Sequence, residues 1–271
     1  MTFSTLRTAT QDGVLTVVLD NPPVNALSAT MMRELRDLLS RLDASVKVVV
    51  FESANPEFFI AHVDMHILDQ QDLLEELAAS TPPGLNIFQH TGELLRHLPQ
   101  ISIVKLAGKA RGGGAELVAA ADLAFAAEET AGLGQVEALM GITPGGGATQ
   151  YLLDRVGRNR ALELVLAGEL VDARTAAAYG WINRALPAAS LDAHVAQVAR
   201  TIASLADGVV AAAKRALPPA DLAAGLAVED DAWASLVTRP AARRLMSEAL
   251  RAGAQTVDGE RDLEGLMRRI A

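Results

Sequence analysis

Arg111-Gly112-Gly113-Gly114-Ala115-Glu116, answered by Gly134-Gln135-Val136-Glu137 and then by Pro144-Gly145-Gly146-Gly147, is the stretch on which the reading of this chain turns. Ile101 to Leu106 reads as a strand running straight into the first glycines, and Ala115 to Ala121 as the helix that leaves them. Such a turn offers bare N–H groups in a first helical turn, where the macrodipole favours negative charge and the missing Cβ lets a ligand approach the backbone. The same glycines would also serve a tight turn that binds nothing. Glu116 is a single carboxylate among Ala115, Leu117, Val118, Ala119, Ala120 and Ala121, and Glu137 stands among Val136, Ala138, Leu139 and Met140. Burial in such company raises a Glu pKa above about 4.3 and suits the group to proton transfer near neutrality. Amides to hold a developing oxyanion and carboxyl groups to move a proton make a coherent pair.

Outward from that stretch, Val14 to Leu19, Val46 to Glu52 and Leu123 to Ala127 are short, apolar and strand-like. Ser28 caps an expected helix in which Met31, Met32, Leu35, Leu38, Leu39 and Leu42 recur at three and four. Phe58 to Asp69 is less regular, and the acidic stretch that follows, broken by Pro82-Pro83-Gly84, is expected to be a mobile loop with a short helix. A helix from about Leu85 to Leu98 ends at Pro99. Repeated strand, strand, helix units argue for an α/β core. From about Ala188 the pattern is helical, in Ala188 to Leu205 and Val209 to Leu217, with no strand signal left. Residues 1–187 are therefore expected to form the core with its active site, and 188–271 a helical region packing on that core or on a neighbouring subunit.

Composition excludes several functions. With 271 residues, 50% hydrophobic and 21% charged, the chain is long enough for a sizeable core. Its net charge of -9 repels a polyanion, so no nucleic-acid partner is expected. The absence of cysteine excludes disulfides, thiolate zinc sites and a Cys nucleophile. No basic-headed apolar leader and no apolar run long enough for a bilayer are visible, which points to a soluble, cytoplasmic protein with no membrane partner. The glycines lack the third Gly of a dinucleotide fingerprint, and no P-loop lysine follows them.

In order and spacing, these motifs resemble the crotonase family of enoyl-CoA hydratases and isomerases. The likeness extends to Gly141-Ile142-Thr143 and Ala148-Thr149-Gln150, to Asn21-Pro22-Pro23-Val24-Asn25-Ala26-Leu27, to Phe59-Ile60-Ala61-His62-Val63-Asp64, and to Ala167-Gly168 through Gly180-Trp181-Ile182, nearly the whole chain. It implies a spiral of ββα units with a C-terminal helical trimerisation region, and a homotrimer or dimer of trimers. It implies an acyl-CoA thioester substrate whose carbonyl oxygen sits between the amides of Val63 and Gly113. CoA and substrate contacts would come from Val24, Ala26, Ala61, Asp64 and Met65, with Gly112 and Gly145 beside the thioester. Glu116 would activate the water that adds at the β-carbon and Glu137 would exchange the proton at the α-carbon, with no metal or redox cofactor. Hydration is the leading expectation; double-bond isomerisation, or a catalytically weak acyl-CoA-binding homologue, are the alternatives.

The chain departs from the family pattern at three places. His62 and Val63 stand where Gly and Ala are usual, Arg111 replaces an apolar residue, and Val136 stands where proline is common. A backbone amide survives any side chain but proline, so Val63 can still donate, though bulk there narrows the thioester pocket or shifts the loop. His62, Asp64 and His66 alternate in a way that suggests metal ligands, yet no third strong ligand joins the histidines and no metal site is expected. His90, His97 and His194 read as helix-surface or boundary residues. Pro144 to Gly147 reads either as a helix entry or as part of the acyl pocket, whose variable wall is expected around Leu68 to Leu98.

Overall fold

The computed structural model describes residues 3–271. Its first two strands, β1 (Leu6–Gln11) and β2 (Val14–Leu19), form an antiparallel hairpin closed by Asp12-Gly13, both at positive φ (49° and 78°) as a two-residue primed turn requires. Ser28 then accepts from the Met31 amide at 3.1 Å and starts α1 (Ala29–Leu39). Next come β3 (Val48–Ser53), β4 (Phe58–Ile60) and two helices, α2 (Gln71–Ala79) and α3 (Ile87–Arg96), the latter opened by an Asn86–Gln89 capping box.

Two similar turns follow. The first contains β5 (Ile101–Leu106), β6 (Lys109–Arg111) and α4 (Gly113–Ala120). The second contains β7 (Leu123–Ala127), β8 (Gly132–Gly134), a 3-10 turn over Glu137–Met140, α5 (Ala148–Val156) and α6 (Arg158–Ala167). Then come β9 (Val171–Asp172), α7 (Ala173–Tyr179) and β10 (Arg184–Leu186).

In each turn the first strand joins a six-stranded sheet of order β1-β2-β3-β5-β7-β10 and the second joins a four-stranded sheet of order β4-β6-β8-β9. All pairings are parallel except β1 with β2 and β8 with β9. The chain thus climbs as a spiral of ββα units. The central strands β3, β5 and β7 of the large sheet are covered on both faces, which is why Val48-Val49-Val50-Phe51 is a continuous apolar run rather than an alternating one.

The chain after Ala188 is helical: α8 (Ala188–Ala203), α9 (Val209–Ala216), α10 (Ala223–Val237), α11 (Pro240–Ala252), α12 (Val257–Arg261) and α13 (Leu263–Ile270). Leu245, Ala249, Leu263, Leu266 and Met267 from α11 and α13 bury against Val136 and Met140 of the 3-10 turn, forming a second apolar cluster beside the main core. No helix among the described residues is long and apolar enough to cross a membrane.

Several bounds differ from expectation: the helix expected over Leu85 to Leu98 spans Ile87–Arg96, the one expected over Ala115 to Ala121 spans Gly113–Ala120, the one expected over Ala188 to Leu205 ends at Ala203, and the first helix ends at Leu39, before Leu42. The strand expected from Val46 begins at Val48, because the Val46 amide turns back to the Asp43 carbonyl. The hairpin strand β1 is not among the expected strands: only Leu6 of its six residues is buried, so it carries no apolar alternation to read.

Candidate active site

The glycines at the start of α4 have close neighbours on every side. Gly112 adopts φ 48°, ψ −124°, a conformation that disfavours a side chain, and its amide donates to the Gly134 carbonyl at 3.0 Å. A Cβ added to Gly112 would lie 2.7 Å from Oε1 of Glu137, and one added to Gly113 would lie 3.8 Å from Oε2 of Glu116. Two carboxylates from separate segments therefore flank consecutive residues. The Gly113 N–H is in the first turn of α4, where no intrahelical acceptor exists for it.

Val63 reaches the same place from the loop after β4. Its residue pairs with Leu27 as an isolated parallel bridge, in which the Leu27 amide donates to the His62 carbonyl (2.8 Å) and the Asp64 amide donates to the Leu27 carbonyl (3.1 Å). In a parallel bridge that alternation turns the Val63 N–H to the opposite edge, away from Leu27. Val63 Cγ2 would lie 2.7 Å from a Cβ on Gly113, so the two residues are in direct apposition and the added bulk of Val63 is accommodated by the bare glycine.

Glu116 is buried, and its Oε1 accepts from the amides of Gly146 (2.8 Å) and Ala148 (3.3 Å). Burial first, then the charges of Glu137 and Glu229, push its carboxyl well above the ordinary range, while those two amides pull the other way. Glu137 is partly buried; desolvation pushes it up to about 7, against its own turn's amides and the nearby His62, with Glu229 adding to the rise. Gln135, fully buried, donates its amide N–H groups to both Glu137 oxygens (3.3 and 3.0 Å) when the side-chain nitrogen faces the carboxylate. Two interacting carboxyls with raised proton affinity titrate as a pair.

One small hollow adjoins this centre, and a larger groove lies at Ala26 and Asp64, the chain neighbours of Leu27 and Val63. The hollow, about 20 Å³, is lined by Leu27, Met32, Phe88, Gly92, Gly113 and Glu116 among others, which is room for one water beside a carboxylate. The groove, about 500 Å³, is lined by Asn21, Pro23, Val24, Ala26, Asp64 and Gln255 among others. Of the residues expected to contact CoA, Val24, Ala26 and Asp64 are on this groove. Ala61 is fully buried, its amide donating to the Val24 carbonyl at 3.3 Å, and Met65 packs against the second apolar cluster. Gly145 accepts from Asn86 Nδ2 at 2.8 Å, and a Cβ there would lie 2.7 Å from Cδ1 of Trp233.

The family model described as enoyl-CoA hydratase/isomerase matches residues 9–239. This chain belongs to that family. It is 33% identical over 219 residues to a Rhizobium meliloti protein named "Probable enoyl-CoA hydratase", covering 80% of this chain and 82% of the relative. A crystal structure of a "putative enoyl-CoA hydratase" from Streptomyces avermitilis superposes with a TM-score of 0.98 at 65% identity over 99% of both chains. An enoyl-CoA hydratase structure from Bacillus anthracis gives a TM-score of 0.71 at 28% identity, covering 92% of this chain and 95% of that one. The crotonase likeness of the motifs and the spiral architecture are thereby established together.

Against that family frame, three features escaped the sequence. Glu229 of α10 accepts from the amides of Gly147 (2.6 Å) and Thr149 (2.8 Å), the Thr149 hydroxyl (2.5 Å) and Gln89 Nε2 (3.2 Å). Successive amides of the Gly146–Thr149 segment thus alternate between Glu116 and Glu229, so this glycine run is a strap gripped from both sides. In sequence Glu229 opens the acidic run Glu229-Asp230-Asp231 and looks like a solvated face. Trp233, one turn further on, meets Phe88 edge to face at 5.8 Å. Finally, Arg111 is buried and paired with Glu264 (2.6 Å from Nε, 3.0 Å from Nη2), and His62 is buried against Glu260 (2.9 Å). His66, by contrast, is exposed beside Asp69, so the alternating His62, Asp64, His66 triplet does not converge.

Proposed function

We propose that this chain is an enoyl-CoA hydratase that adds water across the 2,3 double bond of an enoyl-CoA thioester. The observation that carries the reading is the convergence of Glu116 and Glu137 on consecutive glycines, with the Val63 and Gly113 amides beside them. The thioester carbonyl accepts from both amides, which stabilise the enolate as it forms; one such donor is worth about 2.7–4 kcal/mol in other enzymes. Glu116, as carboxylate, takes a proton from water as the hydroxyl bonds to the β-carbon. Glu137, as acid, delivers a proton to the α-carbon as the enolate collapses, and exchange with solvent resets the pair. Hydration needs one carboxylate as base and one carboxylic acid as proton donor, and two coupled carboxyls of raised proton affinity can fill both roles.

Isomerisation requires one carboxylate to shuttle a proton and no water. The retention of both acids and the water-sized hollow at Glu116 favour hydration. In this reading Val24, Ala26 and Asp64 hold the CoA portion along the larger groove, Ala61 and Met65 support that loop, and Gly112 and Gly145 keep side chains out of the thioester's path. No metal or redox cofactor takes part. In this reading the chain assembles as a homotrimer or dimer of trimers, as the family likeness implies. Loss of the conjugated-enoyl absorbance of crotonyl-CoA on mixing is the expected result. Turnover of a 3-enoyl-CoA with no action on crotonyl-CoA would make the chain an isomerase, and binding without turnover of either would make it an acyl-CoA-binding homologue.

A further inference from the structure

We propose that His62 is a buried imidazolium that positions the Val63 loop and sets a fixed positive charge beside Glu137. The proposal rests on the hydratase reading for its consequence and on geometry for its substance. Nδ1 of His62 is 2.7 Å from the Val63 carbonyl oxygen, which can only accept. Nε2 is 2.9 Å from Glu260 Oε1, an oxygen that also receives the Gln255 amide at 2.8 Å and therefore acts as an acceptor itself. Both ring nitrogens face acceptors, so both carry protons.

Charge balance leads to the same state. Glu260 and Arg111 are fully buried, His62 is 3% exposed, and Arg111 bridges the Glu264 carboxylate, the Glu260 carbonyl (3.1 Å) and, at 3.5 Å, Glu260 Oε2. Two acids and two bases form a neutral tetrad only when His62 is charged; a neutral ring would leave a net negative charge in the interior. Burial alone would depress the His62 pKa, but the hydrogen bond and charge of Glu260 and the Val63 carbonyl raise it above its ordinary value, against Arg111. Two further titratable groups face the tetrad: Lys109, whose charge acts on Arg111, Glu260 and Glu264 and whose Nζ donates to the Arg261 carbonyl at 2.6 Å, and Glu137, separated from His62 by Gly112, whose notional Cβ lies 2.7 Å from Glu137 Oε1 and 3.8 Å from His62 Cβ.

The consequence is mechanical as well as electrostatic. Leu27 holds the His62 carbonyl and the Asp64 amide from one side while the His62 ring holds the Val63 carbonyl from the other, fixing the peptide that presents the Val63 N–H. Gln255 ties the next two residues, donating to Asp64 Oδ1 at 3.0 Å and accepting from the Met65 amide. His62 is thus a positioning residue, and its bulk, where the family has glycine, is matched by Arg111, where the family has an apolar residue.

The test is nitrogen NMR of the histidine rings in the full-length protein, with His62→Gln for assignment, and carbon NMR of the Glu137 carboxyl. Expected is a doubly protonated His62 ring still present at pH 7, and a Glu137 midpoint that moves upward in His62→Gln, where the neighbouring cation is gone. In Glu260→Gln the His62 midpoint should fall. A neutral, single-tautomer ring in the wild type at pH 7 overturns the proposal, as does an unmoved Glu137 midpoint in folded His62→Gln. The charge is read from the wild-type spectrum; should His62→Gln not fold, ring-to-backbone correlations in the labelled wild type assign the His62 ring instead. Turnover supplies a separate arm: His62→Gln lowers kcat on the order of tenfold and displaces the limb of the pH profile that belongs to Glu137. An inactive wild type would sink the hydratase reading and leave the NMR result to judge His62 independently.

Discussion

Gln in place of either site glutamate keeps the shape and removes the titration. Glu116→Gln and Glu137→Gln should each lower kcat for crotonyl-CoA by roughly 10²–10⁴, and steady-state kinetics with full activity in either variant would remove that residue from the chemistry. The same substitution should act on stability in the opposite sense. Because the Glu137 carboxyl is raised to about 7 when folded, the folded state holds a proton that the unfolded chain has already released near its ordinary value. Its contribution is therefore full below the unfolded value and disappears as pH rises through 7. Thermal melts at pH 5 and pH 8 should show Glu137→Gln gaining on the wild type at the higher pH; a wild type that gains instead would mean the carboxylate is not penalised by burial. At this scale the sequence was legible where a charge interrupts an apolar run, as at Glu116 and Glu137. Glu229 was not legible, because its neighbours Asp230 and Asp231 are also acidic and its partners are amides far away in the chain.

Among the elements, the Gly145–Thr149 strap is the one whose composition is explained by what surrounds it. A Cβ on Gly146 would overlap Oε2 of Glu116, so Gly146→Ala should displace the carboxylate, costing about 1–3 kcal/mol of stability from overpacking. It should also lower kcat more than it raises KM, measurable by denaturant titration and kinetics on one preparation. An unchanged kcat would place the working position of Glu116 elsewhere. Of the two sequence readings of this segment, the helix entry describes it, since Gly147 caps α5; Gly145 is pressed on Trp233. Strands β3, β5 and β7 could be read because each is a short apolar run covered on both faces. The hairpin strand β1 could not, since pairing rather than burial holds it and only its partner β2 alternates.

For the molecule as a whole, a wall residue of the small hollow is backed by a distant part of the chain. Phe88 of α3 lines the hollow, and Trp233 of α10, which does not itself line it, meets Phe88 edge to face. Residues near Leu68 to Leu98 were expected to shape an acyl pocket, but half of this aromatic pair lies in the C-terminal helices, which periodicity marks as helical without saying what they touch. Trp233→Ala should free Phe88 to move back from the hollow and raise kcat/KM for a longer enoyl-CoA relative to crotonyl-CoA by about 10-fold, on the scale of the roughly 1–3 kcal/mol that a methylene contributes in an apolar pocket. A ratio that does not move would separate Trp233 from substrate choice. Sedimentation of the purified 28.5 kDa chain should give a mass of three or six copies. The tetrad that joins residues 62 and 111 to 260 and 264 has a temporal consequence. A ribosome delivers Arg111 and His62 well over a hundred codons before their partners are translated, so the Val63 loop has no stable place to settle in the nascent chain. The working centre, laid down early in the message, is completed only when its closing turns emerge.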